Sequence, residues 1–203
     1  LELTNNIYIR HLDISNTSSL RSFINLAGCT NLETVNAAES SLVGITLAPG
    51  SNVKRLNLEN SSIASLTLTS LAQLSARGLN LTKCRNLSEL YIDDCVLLEN
   101  ISLNQLKSLA KLRIAGCPYI DTVNLDNLIN LSSIELSGSI QDLSFENSAG
   151  VAFENLNLTG LSDLKKLNLK GTSVDGSTSN LGRVYLPTNA NLSRLNLVGA
   201  KIT

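Results

Sequence analysis

Four cysteines and one histidine are the most reactive side chains in this 203-residue sequence. Cys29, Cys84, Cys95 and Cys117 could in principle form disulfides, hold zinc or act as nucleophiles. No pair has the C-x-x-C spacing of a zinc site. Cys95 and Cys117 lie 22 residues apart, but side chains stacked in parallel rarely reach the torsion a disulfide needs. The expected role is four small buried thiols filling one recurring position. Unpaired thiols also argue against an oxidising compartment. His11 is the only histidine, so a nucleophile–histidine pair could be built only around it, and no nucleophile is placed beside it. The reading is a surface histidine, no metal, no cofactor and no enzyme.

A second group has the chemistry of recognition. Tyr91, Arg113 and Glu135 recur at intervals of 22 residues, and Glu89 and Lys111 repeat the interval beside them. Tyrosine and arginine are enriched at binding hot spots, which makes Tyr91, Arg113, Glu135, Glu89 and Lys111 the candidate binding patch. The competing reading is cross-coil ion pairing, Arg113 with Glu135 and Lys111 with Glu89.

The elements that must position these residues follow from one apolar pattern, Φ-x-x-Φ-x-Φ-x-x. It is clearest through Leu87, Leu90, Ile92, Cys95, Leu98, Ile101, Leu103, Leu106, Leu109, Leu112 and Ile114. Paired Φ-x-Φ positions recur at eighteen places, and ten of the seventeen steps between them are eleven residues. Alternation places both Φ side chains on one face of a short strand. A helix of ten or more residues does not fit between strands so close. The predicted fold is therefore mainly β, a parallel β-solenoid. It has about 22 residues and two short strands per coil, with little or no α-helix. One strand per eleven-residue coil is the rival, disfavoured because so narrow a coil could not bury four apolar side chains.

Two faces follow. The outward residues of face A read Asp13, Asn36, Asn57, Asn80, Ser102, Asn124, Ser144, Asn168 and Asn196, an amide row expected to stack coil on coil. Glycan recognition by such a row normally needs aromatic platforms, which face A lacks. Face B reads Glu2, Asn25, Thr46, Thr67, Tyr91, Arg113, Glu135, Asn157 and Tyr185. Its early part is smooth, with Gly44, Thr46, Ala64, Ser65, Thr67 and Thr69. Face A carries an acidic middle (Glu99, Asp121, Asp126, Asp142, Glu146) and a basic end (Lys165, Lys166, Lys170, Arg194). Lys170–Ser179 is expected to be an excursion from the repeat.

The segments Gly28-Cys29-Thr30-Asn31-Leu32-Glu33-Thr34-Val35, Leu87-x-x-Leu90-x-Ile92-x-x-Cys95 and Leu109-x-x-Leu112-x-Ile114-x-x-Cys117 resemble leucine-rich repeats. The form is closest to the bacterial BspA-like (treponemal) type. Leu47-Ala48-Pro49-Gly50-Ser51 and Leu186-Pro187-Thr188 are similar to that type's L/I-P-x-S segment. The sequence departs from the family in lacking its usual A-F motif and in having a second half-coil that copies the first. This implies two sheets rather than a sheet with a helical back.

The resemblance implies a non-catalytic protein-interaction or adhesion module of a larger bacterial surface or secreted protein. The alternative is a structural domain or subunit of a large assembly, such as a phage virion or surface fibre. Residues 1–203 are expected to form a single solenoid of about nine coils. No capping pattern is visible at either end, so the expectation is a piece of a longer chain or a unit capped by other subunits. The partner is expected to be another protein or the rest of the assembly, with glycan a weaker alternative. A net charge of −1 and the lack of a basic stripe speak against nucleic acid. No apolar run is long enough for a membrane-spanning helix.

Overall fold

A computed structural model describes residues 3–148, 155–172, 183–188 and 191–200. Among them are sixteen short strands and no helix. They are β1 (His11–Asp13), β2 (Phe23–Leu26), β3 (Thr34–Asn36), β4 (Gly44–Leu47), β5 (Arg55–Asn57), β6 (Ser65–Thr69), β7 (Leu79–Asn80) and β8 (Glu89–Asp93). Then follow β9 (Lys111–Ala115), β10 (Thr122–Asn124), β11 (Ser133–Leu136), β12 (Asp142–Ser144), β13 (Asn155–Asn157), β14 (Lys166–Asn168), β15 (Arg183–Tyr185) and β16 (Arg194–Asn196).

All pairings are parallel, and paired residues lie 20 to 28 positions apart, with 22 at β8–β9 (Glu89↔Lys111). That rules out the eleven-residue coil. Face A consists of the sheets β1-β3-β5-β7 and β10-β12-β14-β16, and face B of β11-β9-β8-β6-β4-β2 and β13-β15. The core between them is a stack of near-identical layers of Leu, Ile and Val, with Phe145 its largest buried side chain. Most strands bury their two Φ residues and turn the one between them outward, as β2 does with Ile24 and Leu26 buried and Asn25 exposed; β16 departs from this, with Leu195 48% exposed.

Three local devices turn the chain out of its strands. The first is an Asx turn. Asn36, Asn57, Asn80, Asn124, Asn168 and Asn196 each accept, through Oδ1, the backbone N–H two residues on. Where Ser144 stands in the row, Asp126 of the preceding coil substitutes, accepting the Glu146 N–H at 2.7 Å and the Ser144 hydroxyl at 2.6 Å. The second is a left-handed corner residue, often Asn, Asp or Gly: Asn16 (φ 57°), Asn60 (51°), Asp94 (55°), Gly116 (62°), Asn127 (59°), Asn147 (56°) and Gly171 (65°). Several of these corners donate their N–H to the next coil, as Asn16 does to Ala38 and Asn147 to Lys170.

The third device is a small donor, buried or half-buried, one residue after the corner. Thr17 and Ser40 donate to carbonyls three residues back, at 2.6 and 2.7 Å. Ser148 and Thr172 donate to Leu125 and Phe145 of the preceding coil, at 2.7 and 2.6 Å. Cys84 occupies the same position after Lys83 (φ 58°), with Sγ 3.0 Å from the Leu58 carbonyl, and Cys29, which follows Gly28 without a left-handed corner, has Sγ 3.1 Å from that of Leu3. All four cysteines are buried and free.

Of the eighteen expected strand positions, the first includes Leu1 and Glu2, which lie outside the described residues, as does most of the expected excursion after Lys170. Ile101–Leu103 is a correction: it is not a strand, and no backbone ladder bond reaches it. Elsewhere on face A a main-chain carbonyl receives two consecutive N–H groups from the next coil, as Arg10 does from Glu33 and Thr34. Here the side-chain oxygen of Asn100 takes that place, accepting Asp121 N–H at 3.0 Å and Thr122 N–H at 2.9 Å. Asn100 thus competes with its own main chain for the donors of the next coil. Its amide also donates to Asp121 Oδ1 at 2.7 Å, and this bond is the main cause of Asp121's lowered pKa.

Two outcomes follow. Ser148→Ala leaves the Leu125 carbonyl and the Leu128 N–H, both at a fully buried site, without their side-chain partner. Urea denaturation should show a loss of about 2–3 kcal/mol. Asn100→Ala should move the Asp121 carboxyl back up toward its ordinary value, read by NMR titration. An unmoved Asp121 would mean that Asn100 does not hold it.

Candidate functional site

The candidate patch sits on face B, on the longest run of continuous ladder among the described residues. Strands β6, β8 and β9 have five residues each, so their outward side chains are held in register over a rigid base. Glu89 faces Lys111, and Tyr91 faces Arg113, which in turn faces Glu135. The structure therefore brings all five expected residues together.

They are pinned to one another. Lys111 Nζ lies 2.8 Å from Glu89 Oε1, and Tyr91 OH donates to Glu89 Oε2 at 3.3 Å. Arg113 spans two carboxylates, with Nε 2.7 Å from Asp93 Oδ1 and Nη1 3.2 Å from Glu135 Oε2. The pairs of the competing ion-pair reading, Lys111–Glu89 and Arg113–Glu135, both form. Asp93 was not among the expected residues, although its place two residues after Tyr91 on a five-residue strand marks it as outward-facing.

The electrostatics follow the contacts. The hydrogen bond from Lys111 lowers the pKa of Glu89, and that pair in turn raises Lys111's. The bond to Asp93 raises Arg113's. Three carboxylates against two cations leave one formal negative charge. Exposed pairs of this kind hold side chains in place more than they stabilise the fold.

The row continues beyond Glu135. Face B divides between β11 and β13, which belong to different sheets, and a cavity of about 290 Å³ lies at the division. Arg113, Ile134, Glu135, Leu136, Asn157 and Thr159 are among its lining residues. Asn157 faces Tyr185 on the next strand. The early part of face B is a shallow trough of about 460 Å³ whose lining includes Gly44, Thr46, Ala64, Ser65, Thr67 and Thr69. Phe23 borders it and is 59% exposed, over Gly44.

Other candidate chemistry resolves into structure. Burial pushes the Cys95 thiol up to about 11 and raises those of Cys84 and Cys117, the opposite of what a reactive thiol needs. His11 is exposed, with Nδ1 2.9 Å from Thr34 Oγ1. Among the described residues no group of three or more His, Cys, Asp or Glu could hold a metal. On face A the amide row stacks only in part. Asn36 donates to Asp13 and Asn57 to Asn36, but Asn80 turns to Glu59. The acidic middle and basic end of face A meet as pairs, Lys166–Asp142 at 2.9 Å and Lys170–Glu146 at 2.6 Å. No protein-family model matches the chain, and no curated protein matches it.

Asp13, Glu33, Glu89, Asp121 and Glu146 all have pKa values lowered by hydrogen bonds, the last four of them between coils. A lowered folded-state pKa means stability present above the unfolded values, 3.8 for Asp and 4.5 for Glu, and lost as pH falls through the lower folded values. The urea midpoint should therefore hold near neutrality and drop once the pH falls below about 4. A midpoint insensitive to acid would contradict these assignments.

Proposed function

We propose that this chain is a non-catalytic protein-interaction or adhesion module, a leucine-rich-repeat relative closest to the BspA-like type. It would serve within a larger bacterial surface or secreted protein. The observation that carries this reading is the pre-ordered patch on face B. Tyr91, Glu89 and Lys111, and Arg113 between Asp93 and Glu135, are fixed by their neighbours before any partner arrives. Pre-ordered side chains lose less conformational freedom on binding. The repeat consensus supports the family assignment, and the doubled strand pattern marks a departure from its usual helical back.

A second reading, a subunit of a larger assembly such as a virion or surface fibre, is favoured by the trough of small residues bordered by Phe23. Val43 adds a second apolar side chain there, 44% exposed. A smooth shelf with an exposed aromatic edge suits close packing against a permanent neighbour.

The test is affinity capture from a bacterial or host surface-protein extract. It compares the unaltered chain, the double variant Tyr91→Ala/Arg113→Ala and the face A variant Arg194→Ala. Retention of one partner by the unaltered chain and the Arg194 variant, with at least tenfold less on the double variant, supports the interaction module. Equal retention by all three removes the patch from the contact. Concentration-dependent stacking of the chain in sedimentation, with no partner retained, would favour the assembly subunit.

A further inference from the structure

The outward row of face B does not stop at the patch. Read along the solenoid axis it runs Tyr91, Arg113 and Glu135 in register and then, beyond the division between β11 and β13, Asn157 and Tyr185, one residue per coil. The cavity of about 290 Å³ lies between Glu135 and Asn157. Its size is close to the lower end of small-molecule pockets, about 300 Å³.

Its chemistry is mixed in a particular way. Ile134, Leu136 and Gly160 contribute apolar surface, while Glu135, Asn157 and Thr159 add a carboxylate, an amide and a hydroxyl. Several of these groups retain bonding capacity. Arg113 holds Glu135 through Oε2, leaving Oε1 as an acceptor. Asn157 spends Oδ1 on the N–H and hydroxyl of Thr159, leaving its Nδ2 as a donor. A phenol ring stands at each end of the row, Tyr91 half-buried and Tyr185 43% exposed.

We propose that this row is a binding track for a neutral oligosaccharide, with one sugar ring seated in the cavity between Glu135 and Asn157 and the chain running along the axis toward the two tyrosines. Three observations choose this occupant. The cavity is lined mostly by polar groups, with donors and acceptors side by side and a smaller apolar part at Ile134, which matches a pyranose with its hydroxyl rim and C–H faces. Tyrosine at either end supplies a flat apolar surface with a polar tip. The cations are already neutralised, since Lys111 is paired with Glu89 and Arg113 with Asp93 and Glu135, so nothing favours an anionic chain. The aromatic platforms missing from face A are present on face B. This proposal goes beyond the protein-binding reading and does not depend on it.

The experiment is NMR titration of the ¹⁵N-labelled chain with three neutral probes, cellotetraose, maltotetraose and the β-1,4-linked tetramer of N-acetylglucosamine. A neutral Gly-Ser tetrapeptide serves as the competing class. The expected result is saturable shifts at Glu135, Asn157 and Tyr185 with at least one sugar, at a Kd on the order of 1 mM. Asn157→Asp keeps the acceptor that Thr159 uses but removes the free donor. It and Tyr185→Ala should each weaken binding at least tenfold with the rest of the spectrum unchanged. Tyr119→Ala, another exposed tyrosine away from the row, should bind as the unaltered chain does. No shift at these residues with any sugar at about 10 mM would overturn the proposal. So would equal binding by the two row variants, or tighter binding of the tetrapeptide at the same residues. Because no protein partner is involved, failure here leaves the capture experiment's outcome intact.

Discussion

Everything in this molecule depends on coils stacking in register so that each main-chain ladder continues into the next. A parallel pair of three-residue strands is weak alone. Here each strand with a partner on both sides satisfies its polar groups above and below, while its two Φ side chains join a continuous column of Leu, Ile and Val. A solenoid of this kind draws stability from contacts between neighbouring repeats more than from any single layer. A slip of one residue would turn a whole layer of apolar side chains outward.

The corners are what keep that register. A coil must reverse direction within a few residues and still leave no buried carbonyl or N–H without a partner. The Asx turn, the left-handed residue and the small donor divide that task among three adjacent positions. This accounts for Cys84, whose thiol reaches the Leu58 carbonyl much as the hydroxyl of Ser148 reaches that of Leu125. Where one device is missing a neighbour supplies it, as Asp126 does for Ser144. At Ile101–Leu103 the repair is only partial. Asn100 replaces one carbonyl, and the strand itself is lost.

The same stacking makes the surface addressable. A residue between two Φ positions meets its equivalent one coil away, so a short list of outward residues becomes a row at ladder spacing. The residues flanking the Φ pairs stack in the same way, and their charges of opposite sign pair up: Glu89 with Lys111, Asp142 with Lys166, Glu146 with Lys170. The charged patch around Tyr91 and Arg113 is a product of this arithmetic, and the polar cavity beyond Glu135 lies where the ladder breaks.

Much of this was legible in the chain itself. Apolar period and strand spacing give the parallel solenoid, the two faces and the residues on each, because the pleat assigns side chains by position alone. The grouping of Tyr91, Arg113, Glu135, Glu89 and Lys111 followed for the same reason. Only the tertiary structure decided which partner each polar group takes. Arg113 chooses Asp93 as well as Glu135, Asn80 turns from the amide row to Glu59, and Asn100 captures the N–H groups that would have met a carbonyl. Nor does period predict that face B divides between β11 and β13 and opens a cavity there. Apolar burial depends on position in the repeat, which one sequence displays. Hydrogen-bond choice depends on competing donors and acceptors within about 3 Å, and only folding brings those together.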